Sequence, residues 1–145
     1  MKNNLIAEAS ITINAPLTKV WNGLTNPAMI KKYMMGATVE SDWKKGSKIT
    51  WKGEFKGKSY KDKGEILQIE PGRKLKYSHF SPVSGEEDAP ENYHNVTIDL
   101  KENDDRITVS LSQDKNDTEK TKEESQKNWE MMLKGLKKTV EEKSE

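Results

Sequence analysis

An α+β fold is predicted: an antiparallel sheet, interrupted early by two short helices and closed by one long helix at the C-terminus. Three observations predict it. Apolar residues alternate with period two over residues 5–13 and again in short runs between Thr38 and Gln113. They recur at helical spacing at Trp129, Met132, Leu133, Leu136 and Val140. Tight polar turns, with no helical segment between them, separate the later strand runs, which makes their pairing antiparallel.

In chain order, Leu5, Ala7, Ala9, Ile11 and Ile13 share one face of a first strand. Asn14-Ala15-Pro16 breaks it, and Pro16 suits the first turn of a helix carrying Leu17, Val20, Trp21 and Leu24. Asn26 is placed to cap a second short helix, with Pro27 at its first position, Met29, Ile30, Tyr33 and Met34 following, and Gly36 at its end. In Ser47–Phe55, Ile49, Trp51 and Phe55 take one phase while Lys48, Thr50, Lys52 and Glu54 take the other. Ser59–Ile69 and Leu75–Phe80 flank Glu70-Pro71-Gly72-Arg73, where proline pre-sets the first central φ and glycine supplies the positive φ of a type II turn. Asn92–Leu100 and Arg106–Ser112 flank a second turn at Glu102–Asp105. For the last helix, Asn116 with Glu119 or Thr121 with Glu124 offers the capping signal. Its apolar stripe can cover a sheet, but Thr118, Thr121, Ser125 and Asn128 precede that stripe, so its first half either protrudes into water or lines something polar.

The length of 145 residues is that of one domain, residues 1–145. Leu, Ile, Val and Phe total 26 residues, a lean core, yet 25 basic and 24 acidic residues nearly cancel. Disorder needs low hydrophobicity together with high net charge, so a folded chain is expected. No apolar run is long enough to span a membrane and the N-terminus lacks a signal peptide's apolar stretch, so a cytoplasmic location is expected. Without cysteine there is no disulfide, thiol nucleophile or thiolate metal site.

Charge is segregated along the chain. Residues 44–76 hold eleven basic and four acidic side chains, and residues 77–105 hold one basic and eight acidic. The basic block, with Trp43, Trp51 and Tyr60 available for stacking, raises nucleic-acid binding as a reading. It is set aside because Lys48, Lys52, Lys56 and Lys58 fall on the solvated phase, the block has a single arginine, and the sequence pI is about 7.8.

Catalytic signatures are absent. A hairpin around the Ser81–Glu91 loop places His79 and His94 on neighbouring strands, but a zinc site needs three or four ligands, and no fixed third ligand accompanies them beyond Glu91 or Asp88 in that loop. Nothing in the sequence sets an orienting partner beside His79, His94 or Asp99 for general acid/base work. No cofactor, metal or catalytic set is therefore expected.

The sequence resembles the START-like (SRPBCC), helix-grip superfamily of birch-pollen-allergen-like and polyketide-cyclase-like proteins, in particular its Hsp-ninety ATPase activator-like branch. The resemblance rests on Ala15–Trp21, Gly64–Leu75, Asn95–Leu100 and Asn128–Leu136, in that order and over nearly the whole chain. Asn128 stands where glycine is common in the branch, and His79-Phe80 where a tryptophan is. The resemblance implies a curved antiparallel sheet wrapped around the long C-terminal helix, with a cavity between them whose wall is also the core. Candidate cavity residues are then Trp21, Met34, Trp51, Phe55, Tyr60, Tyr77, His79, Trp129, Met132 and Leu133, with Tyr60, Tyr77, His79 and Asn92 as polar anchors. The expected function is non-catalytic binding of a small, largely hydrophobic molecule. Two alternatives are a protein-interaction module that docks a chaperone or other partner through charged faces such as Glu86-Glu87-Asp88, and a cyclase- or aromatase-type enzyme using His79 or His94.

Overall fold

The computed structural model describes residues 5–34, 36–55, 57–81, 87–89, 92–116 and 118–141, apart from the side chain of Phe55. Of the residues singled out above, Lys56, Glu86, Glu91 and the Phe55 side chain thus lie outside the described set. The element order is β1 (Leu5–Ile13), α1 (Leu17–Thr25), α2 (Pro27–Tyr33), β2 (Thr38–Ser41), β3 (Lys48–Phe55), β4 (Lys58–Glu70), β5 (Lys74–His79), β6 (His94–Asn103), β7 (Arg106–Asn116) and α3 (Glu119–Glu141). One curved seven-stranded sheet in the order β1-β7-β6-β5-β4-β3-β2 grips α3, with every pair antiparallel. The chain's first strand closes the sheet against its last, from Leu5 opposite Asn116 to Ile13 opposite Ile107.

The local signals work as physics requires. Asn26 caps α2 by accepting the Ala28 N–H at 2.9 Å, with Pro27 in the first turn, where a missing N–H costs nothing. Pro16 sits one residue ahead of α1, extended, and its carbonyl accepts from Lys19 and Val20. At the β4–β5 turn Gly72 has φ +78° and the Arg73 N–H reaches the Glu70 carbonyl at 2.9 Å, the type II geometry. Farther up the same hairpin a Cβ on Gly64 would stand 1.7 Å from the Ser78 carbonyl oxygen, so only glycine lets the two backbones approach there.

The capping of α3 differs from both expected signals. Thr118 caps the helix, its Oγ1 accepting the Thr121 N–H at 3.0 Å. Asn116 is occupied elsewhere: it ends β7, is 1% exposed, donates to the Leu5 and Gln113 carbonyls and accepts from Ser125 Oγ at 2.9 Å. β7 accordingly runs four residues past the expected Ser112, because β1 and β6 keep supplying pairing partners after the apolar alternation stops. Four-residue β2 is too short for alternation to reveal.

The core lies between the concave sheet face and α1, α2 and α3. Leu133, Leu136 and Val140 of α3 are fully buried in one cluster with Ile13, Val20, Ile66, Val109 and their neighbours. Each such side chain contributes ~1.5–3 kcal/mol of transfer free energy. The polar first half of α3 lies over something polar at two points, Ser125 on Asn116 and the Trp129 indole N–H donating to Gln113 Oε1. Among the described residues no helix is long and apolar enough to cross a membrane.

Candidate functional site

The space between sheet and helix narrows to a small cavity in the middle of the core. Its wall comes from α1 (Leu24), α2 (Ile30, Tyr33), Met34, β2 (Val39), the β2–β3 loop (Trp43), β3 (Ile49, Trp51), β5 (Leu75, Tyr77), β6 (Ile98) and α3 (Met132). The strand members are there because residues of one phase on neighbouring strands share the concave face. The wall carries no charged side chain, and its free volume is about 20 Å³ of room for the centre of a water-sized sphere. That holds about one water, and nothing larger enters unless the wall moves.

Two polar groups in the wall are tyrosine hydroxyls. Burial, with a smaller contribution from Tyr77, pushes the Tyr33 hydroxyl far above the usual tyrosine range, and burial does the same at Tyr77. Both are neutral at physiological pH, and Tyr33 donates to the Gly23 carbonyl at 2.8 Å, fixing α2 to α1. Trp43 is a bulky residue at φ 55°, in the left-handed region, with its backbone N–H held by Ser41 Oγ at 3.1 Å.

From the cavity wall an aromatic path leads to a polar end of the sheet. The Trp51 ring lies 5.3 Å from that of Tyr77 and 5.0 Å, edge-on, from the His79 imidazole. His79 Nε2 is 2.9 Å from Asp62 Oδ2, and Asp62 is the direct cross-strand partner of Trp51, so both face the concave side. Asp62 is 17% exposed and His79 30%. The second carboxylate oxygen, Asp62 Oδ1, is buried and has no hydrogen-bond partner among the described residues. His94 stands directly opposite His79 across β5 and β6, its Nδ1 2.8 Å from the Asp114 carbonyl. Nearby, burial and then the charge of Asp62 raise the Tyr60 hydroxyl above its ordinary value. Among the described residues no three His, Asp or Glu side chains are placed to hold a metal ion.

Of the ten candidate cavity residues, Met34, Trp51, Tyr77 and Met132 meet at the cavity. Leu133 is fully buried on α3, while Trp21 and Trp129 are half-buried against the core without lining the cavity. His79 lies behind Trp51, and Tyr60 packs across Gly53 at the β2–β4 side of the sheet. Asn92 donates to the Glu87 carbonyl at 2.8 Å, outside this space. From the sequence Tyr33 reads only as a position of the second short helix and Trp43 only as a stacking side chain, and neither they nor Asp62 are among the candidate cavity residues. A tryptophan in a serine- and glycine-flanked loop is a usable signal for Trp43, and an acid on the phase of Trp51 is one for Asp62.

The whole arrangement has solved counterparts. A Cytophaga hutchinsonii protein, ChR145, solved in solution, is 55% identical, matches over 97% of this chain and 96% of its own, and superposes with a TM-score of 0.85. The Aha1 dimer protein of Colwellia psychrerythraea shares the fold at 18% identity, with 94% and 96% coverage and a TM-score of 0.74. CalU16 of Micromonospora echinospora does so at 21% identity, with 97% and 87% coverage and a TM-score of 0.68. No curated protein is a sequence match to the chain. With residues 14–141 matching its model, the chain belongs to the family described as activator of Hsp90 ATPase homolog 1-like protein.

Proposed function

We propose that this domain binds a small, largely hydrophobic molecule between the sheet and α3 and does not transform it. The observation that carries the reading is the uncharged cavity with Trp43, at positive φ, in its wall. A bulky side chain held in that region costs of order 1–3 kcal/mol, and such strain is concentrated at ligand clamps and switch regions. The present cavity holds about a water, so the bound form has Trp43, Met34 and Met132 displaced outward; unbranched methionines repack at little cost. Apolar burial drives the affinity. The wall offers no nucleophile that ionises near neutrality, since burial raises both of its tyrosines. That is what supports a carrier or sensor over an enzyme.

The family description points also to a chaperone partner. Docking through the acidic loop is less supported, because Asp88 is already engaged. It ion-pairs with Lys63 and accepts from the Tyr93 hydroxyl at 2.6 Å, and together these hold its carboxyl below the usual range.

Native mass spectrometry of freshly purified protein, followed by organic extraction, tests the binding reading. One small molecule per chain is expected. Bare protein whose Met34 and Met132 methyl resonances also stay fixed on addition of medium-chain alcohols would overturn it.

A further inference from the structure

We propose that the molecule held under α3 carries a protonated amine, received by Asp62 at the polar end of the concave face. This rests on the binding reading above and adds the chemical class of the ligand's head group.

The argument starts from hydrogen-bond accounting. A buried carboxylate oxygen is expected to have a donor, and one without a partner calls for an explanation. Asp62 Oδ2 takes the His79 Nε2–H, while Oδ1 takes nothing among the described residues. Charge accounting gives the same direction. His79 is the only ion-pair partner of Asp62 among the described residues. Its neighbours Lys61 and Lys63 alternate to the opposite face of β4, where Lys63 is paired with Asp88. The site therefore offers one carboxylate with one vacant acceptor position and no lysine or arginine paired to it among the described residues.

A head group that supplies both a proton donor and a positive charge matches that deficit, and the ammonium group does so. The aromatic surroundings suit it as well, since Trp51 stands directly across from Asp62 and tryptophan is the best side chain for holding a cation against its ring. Trp51, in ring contact with His79 on one side and with Tyr77 on the other, also lines the cavity, so an apolar body attached to a head group at Asp62 packs along Trp51. An alcohol fills the vacant acceptor but leaves the charge, and a carboxylate is repelled by it. Hydrogen bonds to an ionised partner are roughly twice as strong as neutral ones.

Three probes with one apolar body separate these cases: 4-phenylbutylamine, 4-phenylbutanol and 4-phenylbutyrate, titrated at neutral pH and followed by calorimetry and by the Trp51 indole and Met132 methyl resonances. The amine is expected to bind at least about tenfold more tightly than the alcohol, with the carboxylate weakest. In Asp62→Asn, with a wild-type-like spectrum confirming the fold, amine and alcohol are expected to bind within about twofold of each other. Amine and alcohol binding equally well to the wild type would overturn the amine assignment and leave the cavity reading standing. So would an amine preference that survives Asp62→Asn. If none of the three probes moves Trp51 or Met132, the cavity reading and the amine assignment both fail.

Discussion

The two halves of α3 cover two unlike ends of one sheet. The C-terminal half sets Leu133, Leu136 and Val140, all fully buried, against β1 and α1, so closely that a Cβ on Gly23 would stand 2.7 Å from Val140 Cγ2. The N-terminal half has no fully buried residue and meets the sheet through hydrogen bonds, Ser125 to Asn116 and Trp129 to Gln113. Strand registers place His79, His94 and Gln113 at that same polar end, with Asp62 bonded to His79. The difference teaches where stability and binding reside. A close-packed apolar end supplies stability that does not depend on what the other end holds, which leaves the polar end free to keep an unsatisfied group.

The sharpest test of the packed end is Leu136→Ala. A fully buried leucine truncated to alanine loses its transfer free energy and leaves a cavity that neighbours only partly fill, a cost of ~2–5 kcal/mol. Urea unfolding should show the midpoint falling with the slope unchanged. A loss under about 1 kcal/mol would mean that this end is not close-packed.

At the polar end, satisfied and unsatisfied groups should behave oppositely. Asn116→Ala removes a fully buried side chain that serves β1, β7 and α3 together and leaves the Leu5 and Gln113 carbonyls and the Ser125 hydroxyl without it, so a loss of ~2–3 kcal/mol is expected. Hydrogen exchange should rise first in β1 and in the first turns of α3. Asp62→Leu replaces a half-buried acid, one of whose carboxylate oxygens is buried without a partner among the described residues, by an apolar side chain of similar size, and its stability should stay within ~1 kcal/mol of the wild type or exceed it. A loss of more than ~2 kcal/mol would show that the Asp62–His79 bond is structural and would remove the contrast between the ends.

The packed end was the legible one. Its apolar residues repeat at spacings of two in β1 and of three and four in α3, and those spacings are the geometry of strand and helix themselves. The order of elements, the type II turn at Gly72 and the facing of His79 and His94 follow from the same local rules. The polar end was harder to read because its interactions join residues far apart in the chain. Asn116 reads as a helix cap until Leu5, 111 residues away, takes its amide. Asp62 reads as one acid in a basic, solvated block until β5 brings His79 to it. Trp43 joins the cavity wall through a backbone conformation that no side-chain periodicity encodes.

The smallest expected effect sharpens the comparison from the packed side. Glu141, near the end of α3, receives the Lys137 ammonium at 2.6 Å and the Asn14 backbone N–H at 2.8 Å, and these two, Lys137 first, hold its carboxyl below the usual glutamate range. A carboxyl whose folded-state value is lowered stabilises the fold at pH above its unfolded value, and that contribution is lost as pH falls through the lowered folded value. Glu141→Gln should therefore lower Tm by only about 1–2 °C at pH 7, as for other solvent-accessible ion pairs. The gap to the wild type should close as the pH drops below about 4. A difference that persists unchanged at pH 2.5 would mean that the carboxylate's charge is not the cause. A large difference at pH 7 would mean that this end is held by its charged rim as well as by Leu133, Leu136 and Val140, and the division between a packed end and a polar end would no longer stand.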